Sequence, residues 1–469
     1  MKPTDISDWL TGEFAEETTA ARQLEALVWD LATKPVPTGR LTRSVPVVTT
    51  SMKTALLFGA NWVSAAFRSG SAREEKQKQG RIKAALALLA TMAHLRGLFS
   101  KLGQVLANYP NLVPGEVAEA LWSLNFQSPP LHFSLVREML GNELGGDPDT
   151  VFESFDTRAF AAASLGQVHR AKLRTGEEVA VKIQYPNIGA AICQDLSNLT
   201  ALLSPLRPGK DWASLRESLD DLTQTLSMET DYENEGRELG RARELFAADP
   251  DFAVPRVYDE FSSKRVLVMD YLPGVHLDRF LASEPTEAER NRYGTLILRS
   301  SMRLFYRAKL VYSDINPGNY IFMPDGRLGL IDFGCCRLFS DEEWDYCRQM
   351  HRAVRSGGDE LRAAIRRSAA GSETGTVSEE YMSAMEELNE WLQEPISTIG
   401  PFDFGDDAYF KKGVDLITRM QTMGHYRYEP INLWYIRCFL SFRALLNRLG
   451  AKVDMHSEME IESPAEIWG

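Results

Sequence analysis

The sequence predicts an α+β fold in which a small β-sheet lobe is followed by a helical lobe, with a helical extension ahead of both. Three observations carry this. Short runs of alternating or β-branched residues, Val168 to Leu173, Glu178 to Gln184, Val254 to Phe261 and Arg265 to Met269, fall in the middle of the chain. Beyond Leu272 the pattern is helical almost throughout, broken by one β-like patch, Tyr320 to Phe322 and Leu328 to Ile331, joined by the turn Pro324-Asp325-Gly326. Upstream, from Glu74 to Asn108, the residues Leu88, Met92, Leu95, Phe99, Leu102 and Leu106 recur at alternating helical spacings, which buries one face of a long helix.

In chain order, residues 1–75 form an irregular lead with one helix near Thr18 to Ala32 and a Pro- and Thr-rich, linker-like stretch after it. Residues 76–130 are the helical extension, which breaks at Pro129-Pro130. Residues 131–272 are the sheet-bearing lobe, opening with a short helix, Phe133 to Leu144, and carrying a largely helical insert, Ile188 to Phe246. Residues 273–469 are the helical lobe. A hydrophobic content of 44% with 25% charged residues belongs to a globular chain and excludes a disordered or membrane-embedded one. The net charge of −13 makes the molecule as a whole repel nucleic acid and anionic lipid, so no nucleic-acid partner is expected. Five scattered cysteines without a Cys-x-x-Cys pair read as a reduced, cytoplasmic protein with no structural zinc. The acidic first twenty residues show no secretory signal, and no segment reaches bilayer-spanning length. The nearest, Thr54 to Phe67, is short and contains Asn61; it reads as a buried helix ahead of a membrane-surface contact.

Phosphoryl transfer needs carboxylates and an amide oxygen to hold divalent cations against phosphates, plus a carboxylate near the attacking group. Asp314 and Asn319, followed by Asp332-Phe333-Gly334, supply that set. Asp314 is the candidate base or orienting carboxylate; Asn319 and Asp332 are the candidate metal ligands. Asn316-Pro317-Gly318-Asn319 is also ordinary turn chemistry. Upstream, Val179-Ala180-Val181-Lys182 sets a lysine where a strand lysine contacts the α- and β-phosphates. One hairpin earlier, Ala161, Ala162, Ala163 and Ser164 precede Gly166 and stand where a glycine-rich turn would bring backbone N–H groups to phosphates; the alanines imply a stiffer cover. Lys182 needs an acidic partner. Tyr232, Leu239, Ala242 and Phe246 share an apolar stripe on which Glu235 also falls, and an inward carboxylate demands a cation, so Glu235 is paired with Lys182 while Glu233 reads as solvated. Met269, Asp270, Tyr271 and Leu272 are expected to meet the adenine. No Ala-Pro-Glu follows Gly334 at the usual distance, and the segment from Cys335 reads directly as helix, which argues against a peptide-substrate platform.

Lys101-Leu102-Gly103-Gln104, the loop from Ala161 to His169, Val179 to Pro186, Glu229 to Glu235, Ser313 to Asn319 and Asp332 to Gly334 together make the chain resemble the UbiB/AarF-type (ADCK) atypical kinases over roughly Arg81 to Ala451. The resemblance implies a bilobal protein-kinase-like fold with the helix of Lys101, Gly103 and Gln104 lying across the mouth where a peptide would bind. It implies that Glu229 and Asp231 engage Lys101 while Glu235 serves Lys182. It further implies binding of ATP or ADP with Mg2+, Mn2+ being the alternative, and a role in coenzyme Q or other isoprenoid-lipid metabolism at or near a membrane surface, with room for a protein partner. ATP hydrolysis or phosphotransfer is the first functional expectation. A nucleotide-regulated scaffold with little turnover and a kinase of a small hydroxylated metabolite are the others. One departure stands out: Asn316 occupies a position where the family commonly has histidine.

Overall fold

A computed structural model describes residues 131–163, 165–186, 188–203, 212–312, 316–369, 378–422 and 430–463. The expectations for the lead, the Thr54 to Phe67 segment and the helical extension therefore lie outside the described residues. The chain divides into two compact units that interleave along the sequence. Among the described residues one comprises 131–139, 156–169 and 182–230, and the other 140–155, 170–181 and everything from Asp231 onward.

The principal sheet follows the order β1-β3-β4-β6, built from β1 (Phe152–Phe155), β3 (Gly166–Leu173), β4 (Glu178–Gln184) and β6 (Val266–Asp270), with β2 (Ala161–Ala163) antiparallel to the start of β3. β4 is buried along all but its first residue, and Val266, Leu267, Val268 and Met269 of β6 are buried in succession. Strands covered on both faces read as continuous apolar runs, which is why both were visible in the sequence. The β3–β4 hairpin turns at Gly176, whose φ of +107 suits glycine alone, and the Gly176 N–H donates to the Leu173 carbonyl at 2.9 Å. At the other end of β3 the backbone of Gly166 runs so close to β4 that an added Cβ would collide with the Ile183 carbonyl.

In the first unit, α2 (Ile188–Leu203) and α3 (Trp212–Glu229) follow β4; α1 (Phe133–Leu144) begins in this unit and ends in the second, ahead of β1. The second unit opens with α4 (Tyr232–Phe246) and contains a three-stranded sheet of order β5-β9-β8, from β5 (Phe252–Ala253), β8 (Tyr320–Phe322) and β9 (Leu328–Leu330). The β8–β9 hairpin turns at Pro324-Asp325-Gly326 as expected, with Gly326 at φ +84. Among the described residues two small pairs complete the β-structure: β7 (Leu310–Tyr312) with β10 (Cys336–Leu338), and β11 (Phe402–Asp403) with β12 (Lys452–Val453).

Two expectations fail here. Val254 to Phe261 is not a strand: Pro255 has no N–H for a ladder, Val257 makes a single bridge to Met269, and Asp259–Phe261 is a 3-10 turn. The segment from Cys335 does not enter a helix directly. It first pairs as β10, and α6 (Asp341–Ser356) begins only after Ser340, which caps it reciprocally with Glu343.

The long helix α5 (Glu287–Ala308), capped by Thr286 with Glu289, runs against the last described helix, α7 (Met455–Glu462). Ion pairs cross between them. Arg303 donates to Glu462 at 2.6 Å and pairs with Asp249 at 2.9 Å; Arg307 meets the same Glu462 at 2.9 Å, and Arg299 holds Glu458 through two bonds of 2.9 Å. The Glu462 side chain is 0% exposed. Asp249 lies in the turn between α4 and β5, so this network ties both helices to the end of α4.

Removing Glu462 strands Arg303 without its closest counter-charge, and Glu462→Ala is expected to destabilise the protein by about 3 kcal/mol in urea denaturation. On α6, His351 is buried beside the Tyr306 hydroxyl at 3.0 Å; desolvation and then the Arg355 charge push its pKa down from 6.5 to about 4. The unfolded chain therefore takes up this proton first as pH falls. Its contribution to stability is complete above pH 6.5 and is lost between 6.5 and 4, up to about 3 kcal/mol. Comparing denaturation midpoints at pH 7 and pH 4.5 should show a smaller drop in His351→Leu than in the parent.

Candidate functional site

In the first unit, Ala161 to Ala163 are not an open loop but the strand β2, in register with Val168, Gln167 and Gly166 of β3. Ser164 and the Ala162 side chain lie outside the description. Lys182 sits on β4 between Val181 and Ile183 and is only 6% exposed, so its ammonium is held among protein groups and not in bulk water. Glu229, at the end of α3, is likewise buried, while Lys101, Gly103 and Gln104 lie outside the described residues. The sequence reading missed a polar chain under this hairpin. Leu131 N–H donates to Gln167 Oε1 at 2.6 Å, the Gln167 amide lies 2.7 Å from His169 Nε2, and His169 Nδ1 lies 2.7 Å from the Asp156 carbonyl. Burial lowers the His169 pKa, so the ring is neutral, with Nδ1–H donating to Asp156 and Nε2 accepting from Gln167. Two polar residues at i and i+2 on one face of a strand were the available signal.

In the second unit, Asp231 caps α4 by accepting from the Asn234 N–H at 3.1 Å, a local role the sequence reading did not give it. One turn on, Glu235 is 1% exposed, Tyr232, Leu239, Ala242 and Phe246 are buried on the same face, and Glu233 is exposed. Glu235 and Asp332 come together at Gly334. A Cβ built there would stand 3.4 Å from Asp332 Oδ1 and 3.6 Å from Glu235 Oε2. The Gly334 N–H donates to Asp332 Oδ1 at 3.0 Å, which orients that carboxylate.

Three groups hold this segment. The Tyr312 hydroxyl donates to the Asp332 carbonyl at 2.9 Å, and its ring lies 5.4 Å from that of Phe333. The Ile331 N–H donates to the Asn319 carbonyl at 3.2 Å, so buried Asn319 is tied to the residue preceding Asp332. Asn316 accepts from the Gly318 N–H at 2.9 Å through its side-chain oxygen, and its carbonyl accepts from Asn319 N–H at 2.9 Å. An asparagine side chain closes that turn on its own backbone, which gives the departure at 316 a local explanation. Asp314 lies outside the described residues. A carboxylate oriented by the Gly334 N–H, near a second carboxylate and tied to the 3-10 turn that ends at the amide residue Asn319, is an oxygen-rich donor set that suits a hard divalent cation.

At the end of β6, Met269 is buried and Asp270 is closed on both sides: its N–H donates to the Arg256 carbonyl at 3.0 Å, and its carboxylate accepts from Tyr258 O–H and Arg256 N–H at 2.8 and 2.9 Å. Desolvation and Asp270 raise the Tyr258 pKa to about 12, so this phenol stays a donor. Tyr271 N–H donates to the Glu178 carbonyl at 3.0 Å. Among the described residues, Leu272 is the first of the segment whose N–H makes no backbone bond.

A small sheet, a buried strand lysine, an inward helical glutamate and an Asp-Phe-Gly segment fixed on a hairpin define a kinase-like α+β protein. The ABC1 atypical kinase-like domain matches residues 123–363. The chain belongs to this family, the UbiB/AarF/ADCK group. It is similar to the mitochondrial atypical kinase COQ8B of Danio rerio, 31% identical over 71% of this chain and 53% of that protein, and to the AarF domain-containing protein kinase 1 of Xenopus laevis, 28% identical over 64% and 58%. This chain thus spans about half the length of the curated relatives it matches. A solved structure of the Mycobacterium tuberculosis protein Rv3197 in complex with erythromycin superposes with a TM-score of 0.59 at 27% identity, over 84% of this chain and 99% of that one. Among the described residues no helix is long and apolar enough to cross a membrane.

Asn316→Ala removes the side-chain bond that closes the turn before Asn319 and is expected to cost about 1 kcal/mol of stability, read as a lower denaturation midpoint.

Proposed function

We propose that the protein is an atypical kinase-like ATPase or phosphotransferase that binds ATP with Mg2+ and serves coenzyme Q or related isoprenoid-lipid chemistry. The convergence of Asp332 and buried Glu235 at Gly334, with Asn319 tied to the adjoining strand, is the observation that carries this reading. Asp332 and Asn319 would hold the metal ion, which neutralises phosphate charge when bound. Lys182 would contact the α- and β-phosphates, with Glu235 as its counter-charge, and Asp314 would orient the attacking group. The strand Ala161 to Ala163 would cover the phosphates, and the backbone from Met269 to Leu272 would meet the adenine. Lys101, Gly103 and Gln104, with Glu229 and Asp231, would restrict access to the nucleotide. The lipid context rests on the resemblance to COQ8B and not on any contact in the fold.

A second reading, a nucleotide-regulated scaffold that binds a bulky ligand with little turnover, is favoured by the erythromycin complex of the similar mycobacterial protein. Phosphate release with and without lipid vesicles separates the two: turnover supports the enzyme, nucleotide binding without turnover the scaffold.

At saturating concentration Mg-ATP should raise the melting temperature by about 5 °C, as a ligand selective for the folded state does. Asp332→Asn should abolish most of that shift. The absence of any nucleotide-dependent shift in the parent protein at millimolar concentration would remove the central proposal.

A further inference from the structure

Two surface residues converge on the segment that follows β6. The Arg170 guanidinium, on β3, lies 4.4 Å from the centroid of the Tyr271 ring, and Arg170 Nη2 donates to Glu178 Oε2 at 2.6 Å. Glu178, the first residue of β4, accepts the Tyr271 N–H through its own carbonyl at 3.0 Å. Tyr271 is thus held through its ring by one strand and through its amide by the next. The following residue is anchored from the opposite side: Leu272 packs its side chain against Ala253, Ile321 and Met323, and comes within 3.1 Å of a Cβ built at Gly329. Asp270 and Tyr271 have both committed their N–H groups to the protein, and Pro273 has none to offer. The Leu272 N–H is therefore the donor this segment can present to a planar heterocycle, and its direction depends on how Tyr271 is held.

We propose that Arg170 and Glu178 are positioning residues for base recognition: by clamping Tyr271 they fix the direction of the Leu272 N–H and so select adenine over guanine. Two nucleobases differ at the edge that meets a backbone donor, so a donor held in one direction discriminates between them, whereas one free to swing does not. The clamp acts on the base and leaves the phosphate groups alone. It rests on the nucleotide-binding reading above and adds to it which residues set the base preference.

The test is calorimetric binding of Mg-ATP, Mg-GTP and Mg-tripolyphosphate to the full chain and to Arg170→Ala, Tyr271→Leu and Tyr271→Phe. Arg170→Ala and Tyr271→Leu should weaken ATP about fivefold, narrow the ATP-to-GTP affinity ratio, and leave tripolyphosphate unchanged. Tyr271→Phe keeps the ring under the guanidinium and should lose less ATP affinity than Tyr271→Leu. Failure of the parent chain to bind ATP overturns the nucleotide reading itself. Normal ATP binding by the parent with an unchanged ATP-to-GTP ratio in Arg170→Ala overturns the clamp, as does an equal loss of ATP and tripolyphosphate, which marks general damage to the fold.

Discussion

A buried carboxylate has to be answered by positive charge, and the second unit is organised around one. Glu235 lies on the apolar face of α4, almost wholly removed from water, and the fold brings Asp332 to the same small volume at Gly334. Two such groups ionise together only where cations compensate them. The remaining structure of the unit keeps that demand in one place. Tyr312 holds the Asp332 carbonyl, Gly334 holds one of its side-chain oxygens, and the β8–β9 hairpin joins Asn319 to Ile331.

The helix that carries Glu235 is secured at both ends by charge. Asp231 caps its first turn, and the turn after its last is drawn into the Arg303–Glu462–Asp249 network, which reaches from α5 to the last described helix. A buried ion pair of this kind is a weak source of net stability but a costly thing to break, so it favours one arrangement of α4, α5 and α7 over looser ones. In the first unit the Gln167–His169 chain plays a comparable part with neutral groups, satisfying buried polar atoms from Leu131 to Asp156 beneath the β2–β3 hairpin.

Much of the fold was legible from local pattern. The helix Phe133–Leu144 and the strands Glu178–Gln184 and Tyr320–Phe322 fall where apolar periodicity and turn residues put them. The inward placement of Glu235 followed from the 3.6-residue stripe of α4. The pattern misled where pairing partners decided the outcome. Cys336 to Leu338 form a strand only because Leu310 to Tyr312 lie alongside, and Val254 to Phe261 fail to form one because Pro255 interrupts the ladder. The alanines at 161 to 163 became a strand for the same reason, through their register with β3.

The sequence by itself determined which residue types were available: a strand lysine, a helical glutamate, an Asp-Phe-Gly segment and the turn chemistry around Asn316 and Gly326. Each depends on neighbours within a few residues, where the chain's own geometry sets the distance. Tertiary structure alone decided that Glu235 and Asp332 share a glycine nearly a hundred residues from the helix, that Tyr312 supports Asp332, and that Arg170 and Glu178 close on Tyr271. These contacts join segments far apart in the chain, and no periodicity encodes them. They follow from how the sheet and helices stack once apolar faces are buried, which is a property of the whole folded chain.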